Sequence, residues 1–307
     1  MKMRVLGILL GFALSAGAEP PPVPESGPVW PIVVTVSGIR FEELGVGLEL
    51  RHILKLLQRV FPDIDVSSAY VEELDSPRPL KVPIPENYLE TDLRTAALRN
   101  GILAEIVHFS WSQDPEESAR WVVEFKRRLL ALQAGSGGRP IHIAAHSWGS
   151  VLMHQALNEL EREGRPVEVR RFVSMGSPLV PRRLLTRVVR DAEAALGRLQ
   201  KTVVKPKSVR RWVNLWAEND LFSGPIAAAD ENLRVDMAVE PYEKRLKALL
   251  ASAPDKKAVR RDLKTLKDPH AWHESYHYGI YAELPTLGET LSWNVLQDHV
   301  MDVLPAQ

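Results

Sequence analysis

Short apolar runs alternate with amphipathic stretches along this chain, an order that predicts strands joined by helices. Residues 32–36 (IVVTV) are β-branched and end in Ser37-Gly38, which predicts a strand running into a turn. Across 48–61, Leu50, Ile53, Leu54, Leu57 and Phe61 recur at helical spacing. A strand is expected within 63–71, a loop over the Pro-rich 77–85, and a short helix over 90–99 stopped near Gly101. Another strand is expected over 102–109 (ILAEIVHF). Asp114-Pro115 can cap and open a helix, which Trp121, Val122, Phe125, Leu129 and Leu132 carry toward the glycines after 134. Further strands are expected at 140–145 (PIHIAA), 169–174 and 211–216 (RWVNLW), with a helix over 150–160. Helical pattern returns near 242–251 and 258–266. Strands alternating with helices in this way predict an α/β fold around a mostly parallel central sheet.

Between the strand at 140–145 and the helix from 150 there is no room for a loop: Ala145-His146-Ser147-Trp148-Gly149 must make the turn directly. So tight a strand-to-helix turn requires little or no side chain two residues before and two after the serine, and Ala145 and Gly149 satisfy that. It lifts the Ser147 hydroxyl above the sheet and sets a helix N-terminus behind it, which favours developing negative charge. The bland alternative is a serine that only caps the helix.

The segment resembles the Gly-x-Ser-x-Gly nucleophile elbow of α/β-hydrolases, particularly lipase- and esterase-like ones, with alanine in the first small position. The resemblance covers roughly residues 32–303 and implies an α/β-hydrolase fold with Ser147 as nucleophile. Val36-Ser37-Gly38-Ile39 is similar to the turn after an early strand whose backbone helps form the oxyanion hole, with serine where histidine is usual. The resemblance thus implies backbone donors from Trp148 and from Ile39 or Arg40, with Gly38, Ala145 and Gly149 supporting the turns. Met175-Gly176-Ser177-Pro178 resembles the Gly-Ser-Pro turn found one helix downstream of such elbows, and is expected to be architectural.

The acid and base follow in the chain order Ser, Asp, His. Glu218-Asn219-Asp220 stands at the carboxyl end of the strand at 211–216, where catalytic groups of α/β sheets sit. Asp220 is the expected acid and Glu218 its rival. Four histidines lie late in the chain, His270, His273, His277 and His299. His299 has the spacing of a final helix with Leu296, Val300 and Val303. His273-Glu274-Ser275-Tyr276 resembles the stretch around the catalytic histidine of related hydrolases, so His273 is the expected base, followed by His277 and then His270. His273 and His277 are also four residues apart, a spacing that can put two zinc ligands on one helix face. The His-Glu-x-x-His pattern is absent, however, and no third ligand is marked. No metal or cofactor is expected.

Composition adds a location and removes some partners. With 39 basic and 39 acidic residues among 307, no net field would draw the molecule onto nucleic acid. Lys2 and Arg4 precede an apolar run over 5–14 and the small residues Ala16-Gly17-Ala18, the pattern of an export signal over 1–18. Six prolines within 19–31 read as an extended leader, and the hydrolase domain is expected over 32–307. There is no cysteine, hence neither a disulfide nor a lipid-modified cysteine. Stretches 179–208 and 224–269 are expected as helical, cap-like insertions over the active-site face. Together these features imply an exported, periplasmic or secreted serine hydrolase acting on esters of lipid or other apolar acyl groups, with peripheral contact to a lipid surface open. An acyltransferase or thioesterase with the same residues, and a hydrolase-fold binding protein without catalysis, are the alternatives.

Overall fold

The computed structural model describes residues 30–39, 58 and 86–304. The expected signal, most of the leader, the helix at 48–61 (residue 58 apart), the strand within 63–71 and the loop at 77–85 lie outside the described residues.

Among the described residues six strands form one sheet: β1 (Ile32–Val36), β2 (Glu105–His108), β3 (Ile141–His146), β4 (Val169–Met175), β5 (Val209–Trp216) and β6 (Glu231–Arg234). Their order is β2-β1-β3-β4-β5-β6, and every neighbouring pair is parallel. β1 and β3 are buried at every position. That is why they are apolar almost without interruption: helices cover both faces of a parallel sheet.

Eight helices of seven residues or more accompany the described strands: α1 (Tyr88–Arg99), α2 (Ser118–Gly135), α3 (Trp148–Arg162), α4 (Arg182–Val188), α5 (Ala192–Thr202), α6 (Glu240–Ser252), α7 (Lys256–Leu266) and α8 (Pro269–Tyr278). On one face Val34, Val36 and Ile143 pack with Phe125, Leu152, Leu184, Leu199 and Trp212, which brings in α2 to α5. On the other, Val33, Ala144 and Val213 pack with Leu93, Leu246, Leu266 and Trp272, bringing in α1 and α6 to α8. Successive strand residues point to opposite faces, so Val33 and Val34 serve different cores.

Several elements differ from expectation, each for a local reason. The strand expected over 102–109 starts only at Glu105, because α1 ends in a two-bond cap. Gly101 adopts φ 64° and its N–H reaches the Leu98 carbonyl, while the Ile102 N–H reaches Ala97. Asp114 does accept the Glu116 N–H, but the first turn, Pro115–Glu117, is 3-10 and α2 begins at Ser118. His299 sits between two one-turn helices, α9 (Val295–Asp298) and α10 (Val300–Val303), rather than inside one. The antiparallel hairpin of β7 (Ile280–Leu284) and β8 (Glu289–Trp293) was not expected. Nor was β6, which lies inside the stretch 224–269. Both stretches expected as cap-like insertions contribute core residues: Leu184, Leu185 and Leu199 on one face, Leu246, Val259 and Leu266 on the other.

The strand order also locates a crevice. From β1 the chain moves outward to β2, then returns across β1 to β3, so connections leave β1 and β3 in opposite directions. Ligand sites in open parallel sheets form at such a switch, beyond the carboxyl ends of the strands. Here those ends carry Ser37-Gly38 and Ser147.

Candidate active site

Ser147 follows β3 directly and precedes the first residue of α3. Its backbone has φ 50° and ψ −129°, a conformation that costs a non-glycine residue about 1–3 kcal/mol. The surroundings hold it there. The Ser147 N–H donates to the Met175 carbonyl at 2.8 Å, and the Ser150 hydroxyl bonds the Ser147 carbonyl at 2.6 Å and Ser177 at 2.7 Å. Ser177 of the Gly-Ser-Pro turn therefore braces the elbow. A Cβ on Gly149 would stand 2.5 Å from the Ser37 carbonyl oxygen and 2.8 Å from that of Val36. Both obstacles are backbone, so this position admits only glycine. Ala145 is fully buried in the sheet.

Ser147 Oγ lies 2.8 Å from His273 Nε2. His273 Nδ1 lies 3.1 and 3.2 Å from the two Asp220 carboxylate oxygens. A carboxylate only accepts, so Nδ1 carries the proton, and Nε2 is left to accept from the serine. Burial by itself would push the His273 pKa down, but the adjacent Asp220 carboxylate outweighs it and the pKa lies above the ordinary histidine value. Burial would raise the Asp220 pKa, yet His273 and the Phe222 N–H hold it below the usual carboxylate range. Asp220 is 0% exposed and accepts two further bonds, from the Phe222 N–H at 2.8 Å and the Tyr276 hydroxyl at 3.0 Å. Burial raises the Tyr276 pKa well above that of a free phenol, so it stays a donor.

The turn that presents Asp220 is anchored from beneath. Asp236, fully buried, accepts from the Asn219 N–H at 2.9 Å and from its amide at 3.0 Å, and pairs with Arg234 at 2.7 Å. The Asn219 carbonyl accepts from Arg183. Glu218, the rival acid, is exposed.

The other expected residues fall in distinct places. Trp148 is the first residue of α3, so its N–H is among those a helix leaves without an internal partner. The Gly38 N–H is taken by the Tyr88 hydroxyl at 2.8 Å, which leaves Ile39 as the described donor of that turn. Arg40 lies outside the described residues. A Cβ on Gly38 would come within 2.6 Å of Ser147 Cβ, so the turn abuts Ser147. His277 is turned away from Ser147: Nε2 bonds Glu274 at 3.1 Å and the ring stacks on Tyr88 at 4.1 Å. His299 Nδ1 bonds Asp302 at 3.1 Å. His270 is in α8, and its side chain is outside the described set. Among the described residues no group of three or more His, Asp or Glu side chains could hold a metal. An open cavity of about 800 Å³ lies at the far end of α3, lined by His154, Asn158 and Lys207 among others, away from Ser147.

Two residues of the site were missed in the sequence, Tyr88 and His146. The Tyr88 hydroxyl is 2.6 Å from His146 Nδ1, and His146 Nε2 is 3.0 Å from the His273 carbonyl. One signal was available. A histidine inside a strand as apolar as PIHIAAH must find partners if it is buried.

No family model matches the chain, and no curated protein matches it. Solved structures that match the chain at low identity include the following three. A gene product of Listeria innocua is 13% identical with a TM-score of 0.34, over 76% of this chain and 93% of that one. A metagenomic carboxyl esterase is 15% identical with a TM-score of 0.31, over 68% and 58%. A thioesterase of the prodiginine pathway in Streptomyces coelicolor is 14% identical with a TM-score of 0.31, over 56% and 90%. What defines the architecture is internal to this chain: six parallel strands in the order β2-β1-β3-β4-β5-β6, helices on both faces, and a serine elbow after β3. That is the α/β-hydrolase fold.

Proposed function

We propose that this chain is a serine hydrolase that cleaves carboxylic esters of lipid or other apolar acyl groups through an acyl-enzyme on Ser147. The observation that carries the proposal is the unbroken line from Ser147 Oγ through the His273 ring to Asp220. In the first step Ser147 Oγ attacks the ester carbonyl while His273 Nε2 takes its proton. Asp220 keeps the other ring proton on Nδ1 and supports the imidazolium. The carbonyl oxygen becomes an oxyanion facing the N–H groups of Trp148 and Ile39; one such donor is typically worth about 2.7–4 kcal/mol. The C–O bond then breaks, and His273 returns the proton to the departing alcohol. In the second half water attacks the acyl carbon, giving its proton to His273, and Ser147 is released with the carboxylic acid. The reaction needs no cofactor.

Phe222, whose ring packs T-shaped against His273 with centroids 4.8 Å apart, supports an apolar acyl group beside the reacting carbonyl. The basic, apolar and small-residue pattern of residues 1–18 supports export. The test is labelling by a fluorophosphonate probe, with Ser147→Ala beside the wild type, followed by turnover of p-nitrophenyl esters of increasing chain length. Labelling is expected in the wild type only, and turnover is expected to rise with acyl length beyond acetate. Equal labelling of Ser147→Ala would place the nucleophile elsewhere, and a preference for acetate would remove the apolar acyl group.

A further inference from the structure

The turn after β1, the residue before the nucleophile and the first part of α8 are far apart in the chain. One line of hydrogen bonds nevertheless joins them. The Gly38 N–H donates to the Tyr88 hydroxyl at 2.8 Å, and that hydroxyl lies 2.6 Å from His146 Nδ1. His146 Nε2 lies 3.0 Å from the His273 carbonyl. Chemistry fixes the direction of each bond. A carbonyl only accepts, so Nε2 carries the His146 proton, Nδ1 is the acceptor, and the Tyr88 hydroxyl donates to it. Burial, with His277 and His273 nearby, pushes the His146 pKa down to about 3, so the ring stays neutral and the direction holds.

We propose that Tyr88 and His146 are positioning residues that hold the oxyanion turn at Gly38 and the main chain of His273 in one frame around Ser147. The proposal rests on the serine-hydrolase reading above. Tyr88 is suited to the task because its ring is itself fixed, 4% exposed and stacked on His277. With the Gly38 N–H committed to Tyr88, the orientation of that peptide is set, and the next donor, Ile39, is presented by a turn that cannot rotate. At the other end, the bond to the His273 carbonyl holds the backbone whose side chain reaches Ser147 Oγ. Neither residue touches the reacting atoms. They act through the groups that do.

Tyr88→Phe removes the hydroxyl and keeps the ring. It leaves the Gly38 N–H and His146 Nδ1 without these partners, and a displacement of about 1 Å in such a turn slows a reaction by about 10²-fold. The experiment uses the full chain, an alkyl fluorophosphonate and a p-nitrophenyl ester. Tyr88→Phe is expected to label Ser147 about 10²-fold more slowly, with the loss in kcat rather than KM. His146→Ala should lose a similar factor, and the double variant should be no slower than the slower single one, since both break the same line. Leu93→Ala supplies the comparison for a merely structural effect. It removes packing from the same helix, should lower the melting temperature, and should label at the wild-type rate. Labelling of Tyr88→Phe at the wild-type rate, multiplying losses in the double variant, or a Leu93→Ala as slow as Tyr88→Phe would each overturn the proposal. If Tyr88→Phe melts below the assay temperature, His146→Ala and Leu93→Ala alone decide between the same outcomes. A folded wild type that does not label would instead overturn the serine-hydrolase reading, and this proposal with it.

Discussion

A single methyl group at Gly38 tests how closely the turn after β1 must approach Ser147. In Gly38→Ala the new Cβ would stand 2.6 Å from Ser147 Cβ, 3.2 Å from its Oγ and 3.3 Å from His146 Nδ1. Carbon atoms in ordinary contact are about 3.5–4.0 Å apart, so about 1 Å of separation has to be found. Ser147 cannot supply it, held by its N–H bond to Met175 and by the elbow backbone. The turn must therefore retreat, and the Ile39 N–H with it. A misplacement of about 1 Å costs about 10²-fold in rate, or about 2.7 kcal/mol at 1.36 kcal/mol per decade. Overpacking adds a stability loss of about 1–3 kcal/mol. The assay is the rate of fluorophosphonate labelling beside a thermal melt. Gly197→Ala is the companion: it lies within α5, its Cβ meets nothing within 4 Å, and alanine there should add about 0.5–1 kcal/mol of stability at unchanged rate. A Gly38→Ala protein that labels at the wild-type rate and melts at the wild-type temperature would refute the steric reasoning.

Other outcomes follow from the charges. Because the His273 pKa is raised and the base acts only when neutral, labelling should fall as pH drops through a value above about 6.5, visible in a pH profile. Asp220→Asn should lose about 10⁴-fold in kcat, since the ring then lacks the partner that fixes its tautomer; a loss below tenfold in steady-state kinetics would remove Asp220 from the mechanism. Asp236→Ala should cost about 1–3 kcal/mol for each Asn219 donor left unpaired, measured by denaturant unfolding. Glu274, opposed by burial but bonded to His277, has its pKa lowered to about 2. Its contribution to stability is present above the unfolded value of about 4.3 and is lost as pH falls toward about 2, so Glu274→Gln should flatten the melting temperature in that window.

The parts of this fold legible in the sequence are those whose cause is local. β1 and β3 are buried throughout, and β4 and β5 are buried mainly after their Arg-Arg pairs, so each shows at least a short apolar run. The elbow is readable because the steric demand falls on Gly149, two residues from the serine, where the structure puts backbone within 2.5 Å of any Cβ. β6 (ENLR) was not readable. It is an edge strand with no apolar alternation, held by its ladder to β5 and by the Asn214–Asn232 bond at 2.9 Å. The hairpin of β7 and β8 is only half legible: Ile280, Ala282 and Leu284 alternate inward, but β8 (ETLSW) buries Leu291 alone and shows no such alternation. The elbow marks Ser147, the end of β5 marks Asp220, and the resemblance of His273-Glu274-Ser275-Tyr276 to related hydrolases marks His273; the structure brings the three within hydrogen-bonding distance. Tyr88 and His146 lie 58 residues apart, and nothing in a linear pattern couples them.

The distance along the chain between Ser147 and His273, 126 residues, also bears on how the proposed activity would be acquired. β1 to β5 are complete by Trp216, and Asp220 follows, yet His273 arrives only with α8. Contacts of such long sequence separation form late in folding, because loop closure must come first. A nascent chain that ends before residue 273 can hold all six described strands of the parallel sheet and the elbow and still lack the base of the proposed mechanism. On the proposed mechanism Ser147 stays unarmed until α8 docks, so chemical competence would wait for that docking.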